Sequence, residues 1–203
     1  MRVGVIGGGL MGSGIAEVCA RSGVDVTVVE VDEGRLEQTR AKIDKSLDRA
    51  ASSGRLEQDD RTAAGERLAY STSIEDLEGA DAAIEAIIEN EQTKRELFLK
   101  LDEVLPDAEF LASNTSSVPI MKLAAGTSKP ERVLGMHFFN PVPVLPLVEL
   151  VRSIMTSEQT LERARQFAEE TLGKTTIDSQ DRAGLVVNAL LVPYILSAVR
   201  MYE

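Results

Sequence analysis

Gly7, Gly9 and Gly12 constrain this chain more than any other feature. They stand in Gly7-Gly8-Gly9-Leu10-Met11-Gly12, directly after a short apolar run at residues 2–7 that reads as a buried strand. Helical spacing follows from Gly12 to Arg21, and Asp25 to Val31 is a β-branched run typical of a parallel strand. Glycine-rich loops also occur for purely steric reasons, so the context decides. Between a strand and a helix the three glycines have separable jobs. Gly7 permits the tight turn, Gly9 lets a pyrophosphate approach the backbone, and Gly12 lets helix and sheet pack closely. The helix start adds free N–H groups and a partial positive charge suited to phosphate. This is a Rossmann-type dinucleotide site, with Leu10 and Met11 opening its helix.

The remaining elements agree with that reading. Asp32 to Arg67 is charged, Ala-rich and helical, with expected breaks at Gly54 and Gly65, and reads as an inserted helical hairpin. Alternation then resumes: strand at Leu68–Thr72, strand at Asp81–Ile88, helix at Glu91–Leu105, strand at Glu109–Ala112. Further strands are expected at Val133–Phe138, Val148–Val151 and Thr175–Ile177. Thr156-Ser157-Glu158-Gln159 resembles a capping box opening a helix that Gly173 closes. The fold class is therefore α/β, a mostly parallel sheet with helices on both faces. Leu185–Val199 is nearly all apolar, and a helix apolar all round needs covering by something. We place a first domain at residues 1–181 and the start of a second, helical one at 182–203.

A carboxylate near the end of the second strand accepts hydrogen bonds from the adenosine ribose hydroxyls and repels a 2′-phosphate, which favours NAD over NADP. Asp32 lies at the expected distance from the glycines, with Glu30 as its rival. Arg35 is a weak argument for NADP. The formal charge of −11 argues against a general nucleic-acid or anionic-membrane binder, because both need net positive surface. It leaves room for an anionic ligand held by a helix N-terminus and a few local cations. With one cysteine, Cys19, neither an internal disulfide nor a Cys-based metal cluster can form. No signal-peptide organisation or membrane-spanning stretch is visible, so a reducing cytoplasm is expected.

The single histidine, His137, follows a strand whose carboxyl end should face the cofactor, and a proline-rich turn comes after it. Glu149 lies in a returning strand, where a charged residue needs a partner. A His–Glu pair suits reversible alcohol oxidation: the imidazole takes the hydroxyl proton, and the carboxylate orients the ring and stabilises its cation.

With these residues in place, the chain resembles the 3-hydroxyacyl-CoA dehydrogenases essentially end to end. The resemblance rests on GGGLMGSGIA at 7–16, VVEVD at 28–32, EAIIEN at 85–90, KRELF at 94–98 and SNTSS at 113–117. GMHFFNPVP at 135–143, LVELV at 147–151 and VNALLVPY at 187–194 complete it. The resemblance implies His137 as general base with Glu149 as its partner. It implies that Ser116 hydrogen-bonds the reacting oxygen and that Asn188 helps bind the substrate's reacting end. Asn140 would support the site, and Glu89 and Lys94 match positions that contact NAD, with Asn114 and Ser116 grouped beside them. Each has a plainer reading: Ser116, Ser117 or Asn114 as caps, Lys94 as a solvated helix residue, Glu89 as the cap of the helix beginning near Asn90.

The resemblance also implies an acyl-CoA thioester substrate, a homodimer for the complete enzyme, and a second helical domain of which only the first helix is present. Three positions depart from the family's pattern. Its usual Pro-Gly-Phe reads Ala183-Gly184-Leu185, and the Arg that follows the Asn is Ala189. Lys42, Lys45 and Arg49 share a helical face where relatives contact the CoA nucleotide, although a solvated charged face is the favoured reading of them. Two other readings stand beside the dehydrogenase. One is an NAD-binding fragment without turnover; the other is a dehydrogenase of free β-hydroxyacids, which would use a lysine instead of a histidine.

Overall fold

The computed structural model describes residues 1–202. Eight strands form one sheet in the order β3-β2-β1-β4-β5-β6-β7-β8. The strands are β1 (Arg2–Ile6), β2 (Asp25–Val29), β3 (Leu68–Ser71), β4 (Ala82–Glu85), β5 (Phe110–Ser113), β6 (Val133–Phe138), β7 (Leu147–Arg152) and β8 (Thr175–Gln180). Neighbours run parallel except β6 and β7, which pair antiparallel. The helices are α1 (Leu10–Arg21), α2 (Glu33–Ser52), α3 (Gln58–Glu66), α4 (Glu91–Val104), α5 (Ile120–Ala124), α6 (Glu158–Gln166) and α7 (Val187–Tyr202).

Two apolar clusters cover the two faces of the sheet. Val3, Val5, Val26, Val28 and Ile84 pack against Ile15 of α1 and Leu47 of α2. Ala83, Leu111 and Val133 point the other way, towards Phe98 and Leu101 of α4 and Ile120 of α5. Burial on both faces explains why the central strands are apolar without alternation. Among the described residues, no helix is long and apolar enough to cross a membrane.

Several boundaries differ from expectation for local reasons. The strand expected to reach Ile88 stops at Glu85, whose own carboxylate accepts the Ile87 N–H at 2.7 Å and turns the chain out of the sheet. β2 stops at Val29, short of Asp32. Gly54, at φ 70°, does break the hairpin after α2, whereas Gly65 lies inside α3. The helix cap is Ser157, which accepts from the Thr160 N–H at 3.1 Å; Thr156 instead donates to the Val133 carbonyl at 2.7 Å. The short helix α5 carries no periodic pattern long enough to predict. α7 exposes Leu190, Val192, Tyr194 and Ile195.

Close contact between α1 and the end of β1 depends on Gly12. A Cβ there would lie 1.7 Å from the Gly7 carbonyl oxygen, which is backbone and cannot yield. Gly12→Ala should therefore cost about 3 kcal/mol or more, a fall in Tm of roughly 10 °C for a chain of this size. Thermal denaturation followed by circular dichroism checks this; a shift under about 2 °C would contradict the packing argument.

Candidate active site

The glycine loop connects β1 to α1 at the point where strand order reverses, between β1 and β4, which is where open α/β sheets hold ligands. Gly7 sits at φ 93°, a conformation that a side chain resists, and an added Cβ would lie 2.8 Å from the Ala86 carbonyl. Gly9 differs: nothing lies within 4 Å of the position its Cβ would take. That open space beside the N-terminus of α1 is what a pyrophosphate needs. From the far side, Thr39 and Lys42 of α2 both donate to the Gly8 carbonyl, at 3.0 and 3.2 Å.

The carboxylate at this loop is Glu30, directly after β2, which accepts the Gly8 N–H at 2.7 Å. Asp32, expected at the end of the strand, lies beyond it and caps α2 by accepting the Arg35 N–H at 2.8 Å. The strand ends earlier than the motif spacing suggests, so the residue that meets the loop is the nearer acid.

At the other end of the sheet, the β6–β7 register sets His137 opposite Glu149. His137 Nδ1 and Glu149 Oε2 are 2.6 Å apart, Glu149 is fully buried, and the imidazole is buried with its edge against Phe139. Glu149 Oε1 accepts the N–H groups of Val186 and Val187 at 3.0 and 2.9 Å. One carboxylate thus holds both the imidazole and the start of α7, placing half-buried Asn188 one residue beyond the contact. Asn114, at the end of β5, accepts the Phe138 N–H at 2.9 Å and so ties the strand ahead of Ser116 to the one carrying His137. The Ser116 carbonyl accepts the Gly184 N–H at 3.3 Å, bringing the serine loop up to the chain leading into α7. Asn140 lies exposed after β6, beside Pro141 and close to Leu10 and Ser13 of α1.

Comparison with known proteins gives this geometry a family. The family described as 3-hydroxyacyl-CoA dehydrogenase, NAD binding domain, matches residues 2–182. The chain belongs to it. A 3-hydroxybutyryl-CoA dehydrogenase of Mycobacterium tuberculosis is 55% identical over 203 residues, all of this chain and 71% of that one. The crystal structure of FadB2 from M. tuberculosis superposes with a TM-score of 0.96 over 98% of this chain and 70% of that chain, at 55% identity. That of (S)-3-hydroxybutyryl-CoA dehydrogenase from Ralstonia eutropha does so at 0.91, with 40% identity, over 96% of this chain and 68% of the other. NAD is accordingly the cofactor, and the open space at Gly9, the helix N-terminus and the Glu30 carboxylate fit it.

In this member of the family, a buried charge cluster sits between the glycine loop and the serine loop. Lys94, 1% exposed, sets its ammonium 2.5 Å from Glu85 and 3.2 Å from Glu89, so it is not the solvated helix residue one could expect. Glu85 is fully buried and also accepts from Ser113 Oγ at 2.5 Å. Glu89 does not cap α4; Asn90 does, accepting the Thr93 N–H at 2.9 Å. Glu89 instead gathers the serine loop, accepting the N–H groups of Ser116 and Ser117 at 3.1 and 3.2 Å and Ser117 Oγ at 2.8 Å. Burial pushes the Glu89 carboxyl up, but hydrogen bonds from Thr115 and Ser117 and the adjacent Lys94 charge outweigh it and bring it down to about 2. Glu85 was not singled out from sequence; a carboxylate inside an apolar strand was the signal available.

Gly9→Ala should leave Tm essentially unchanged while weakening NADH binding about tenfold or more, equivalent to about 1.4 kcal/mol of lost affinity. Fluorescence titration with NADH checks this; an unaltered affinity would mean that the phosphates do not pass over Gly9.

Proposed function

We propose that this chain catalyses reversible, NAD-dependent oxidation of a (S)-3-hydroxyacyl-CoA to the 3-ketoacyl-CoA, with short acyl chains as substrates. The pairing of His137 with a fully buried Glu149 carries the reading. With Nδ1–H donated to Glu149, Nε2 is left to accept the proton of the 3-hydroxyl, and Glu149 stabilises the imidazolium that results. In the reverse direction the same nitrogen returns the proton to the ketone oxygen. Bound NAD supplies the hydride acceptor. Ser116, whose loop meets the chain leading into α7 at Gly184, would hydrogen-bond the reacting oxygen, and Asn188, next to the Glu149 contacts, would help bind the substrate's reacting end.

Gly9 and the first turn of α1, with Leu10, Met11 and Gly12, would hold the pyrophosphate, and Gly7 would shape the turn. Glu30 would take the adenosine ribose hydroxyls, a role its contact with the Gly8 N–H favours over Asp32. Glu89, Asn114, Ser116 and Asn140 border the nicotinamide end, with Lys94 beneath them. Lys42, Lys45 and Arg49 line a groove against Asn140 and Pro141, which suits the phosphates of the CoA nucleotide. The domain boundary is placed at 181/182. The exposed apolar side chains of α7 would be covered by the remainder of a helical substrate domain and a second subunit. The buried free thiol of Cys19, pushed up to about 12 by burial, is inert and compatible with the cytoplasm.

NADH absorbance with and without acetoacetyl-CoA tests the reaction; thioester-dependent loss is expected, and no loss would count for a binding fragment without turnover. His137→Gln should lower kcat by about 10²- to 10⁴-fold, the contribution of a general acid–base, with NADH affinity retained. Persisting activity would remove His137 from the mechanism. Glu30→Ala should weaken NADH about tenfold, whereas Asp32→Ala should cost about 1 kcal/mol of stability as a lost helix cap and leave affinity unchanged. The opposite pattern of titration and melting data would restore Asp32 to the ribose.

A further inference from the structure

The Glu85–Lys94 pair lies too deep to be a surface ion pair and does not belong to the His137–Glu149 dyad. Its ammonium is the only cation that bridges a fully buried carboxylate, Glu85, and a half-exposed one, Glu89, among the described residues. Glu85 is fixed from three directions: by Lys94, by Ser113 Oγ and by the Ile87 N–H. It also sits in β4, paired on one side with Ile6 of β1 and on the other with Ser113 of β5. It cannot move without moving the sheet. Glu89, by contrast, stands on the loop after β4 with 40% of its side chain exposed, and nothing in its own segment holds it in one rotamer. Yet four donors of the Thr115–Ser117 segment converge on a single oxygen of Glu89.

Desolvating two charges is costly, and a pair of well-packed apolar residues would serve stability as well or better. A buried ion pair whose free end reaches a functional loop therefore points to placement. We propose that Glu85 is a positioning residue: through Lys94 it holds Glu89 in place, and through Glu89 it sets the Thr115–Ser117 segment, so that Ser116 meets the substrate oxygen. Each step of the link from strand to serine involves at least one charged group: Lys94 to Glu85 at 2.5 Å and to Glu89 at 3.2 Å, and Glu89 to the Ser116 N–H at 3.1 Å. The consequence for turnover rests on the dehydrogenase reading above; the consequence for the loop does not.

The test uses Lys94→Met, the double variant Glu85→Gln with Lys94→Met, and Glu89→Gln. Lys94→Met alone leaves Glu85 buried without a cation and should unfold readily. The double variant removes both charges, while the amide introduced in place of the Glu85 carboxylate keeps a partner for Ser113 and for the Ile87 N–H. Its Tm should therefore stay near that of the parent. In it, amide hydrogen exchange at Ser116 and Ser117 should quicken about tenfold, the loss of one charge-assisted hydrogen bond. With acetoacetyl-CoA and NADH, its kcat should drop about tenfold. Adding Glu89→Gln to the double variant should cause no further quickening of exchange at Ser116 and Ser117, since on the loop the residues act in series.

Parent-like exchange at Ser116 and Ser117 in the folded double variant would overturn the proposal. So would additive increases in exchange rate on combining it with Glu89→Gln. Exchange is read without substrate, so it decides the positioning claim even if the parent chain fails to turn over acetoacetyl-CoA, an outcome that counts against the reaction alone. If the double variant melts early, Glu89→Gln, at a half-exposed position, carries the same exchange measurement. Protection unchanged there would equally sink the idea.

Discussion

Glu149 holds the two halves of the site together with the two oxygens of one carboxylate. Oε2 lies 2.6 Å from the His137 ring, and Oε1 takes two backbone N–H groups at the start of α7. A buried carboxylate is tolerable only if its lone pairs are used, and here they are used on both sides. The antiparallel pairing of β6 and β7 makes this possible, because a cross-strand pair brings two side chains onto the same face. A parallel neighbour would need a long crossover before a second residue could reach His137. The one reversal in an otherwise parallel run of strands is thus the element that pairs His137 with Glu149.

Around that pair, short contacts bring distant segments to one edge of the sheet. Asn114 fixes the end of β5 to β6, Gly184 reaches Ser116, and Glu89 draws in the serine loop. Glu30 closes the opposite end against Gly8. His137, Glu149, Asn114 and Ser116 come from separate strands and loops, yet each is tied to another segment by a hydrogen bond. Such a shell limits the drift that would otherwise cost rate by misplacing groups before reaction. The positive φ of Leu185, 50°, lies in the same stretch, where Gly184 and Leu185 turn the chain into α7. The family's usual Pro-Gly-Phe is altered here, but the glycine at the turn is kept.

Much of this is legible in the order of residues. The glycine pattern locates the cofactor loop because each glycine answers a steric demand that the structure then displays, the clash at Gly12 and the open space at Gly9. His137 and Glu149 are legible as a pair because a charge in a returning strand needs a partner. Less is legible wherever an outcome hangs on one or two residues of strand length. Asp32 and Glu30 are both acids near the same strand end, and only the stop at Val29 decides which one meets Gly8. Thr156 and Ser157 are equally plausible caps in sequence, and the Val133 carbonyl claims the first of them.

Lys94 marks the limit most clearly. Its helix is amphipathic and charged, and nothing in local spacing tells a lysine that faces water from one that turns inward. The difference comes from Glu85, nine positions earlier on a strand packed beneath the helix, and from Glu89 on the loop between them. Residue order alone determined the α/β class, the dinucleotide loop and the pairing of His137 with Glu149, because these depend on periodicity, backbone freedom and side-chain type. The tertiary structure alone decided which acid meets Gly8, where Lys94 points and how one carboxylate joins His137 to α7. Those outcomes depend on distances between different elements once they are packed, which local pattern does not encode.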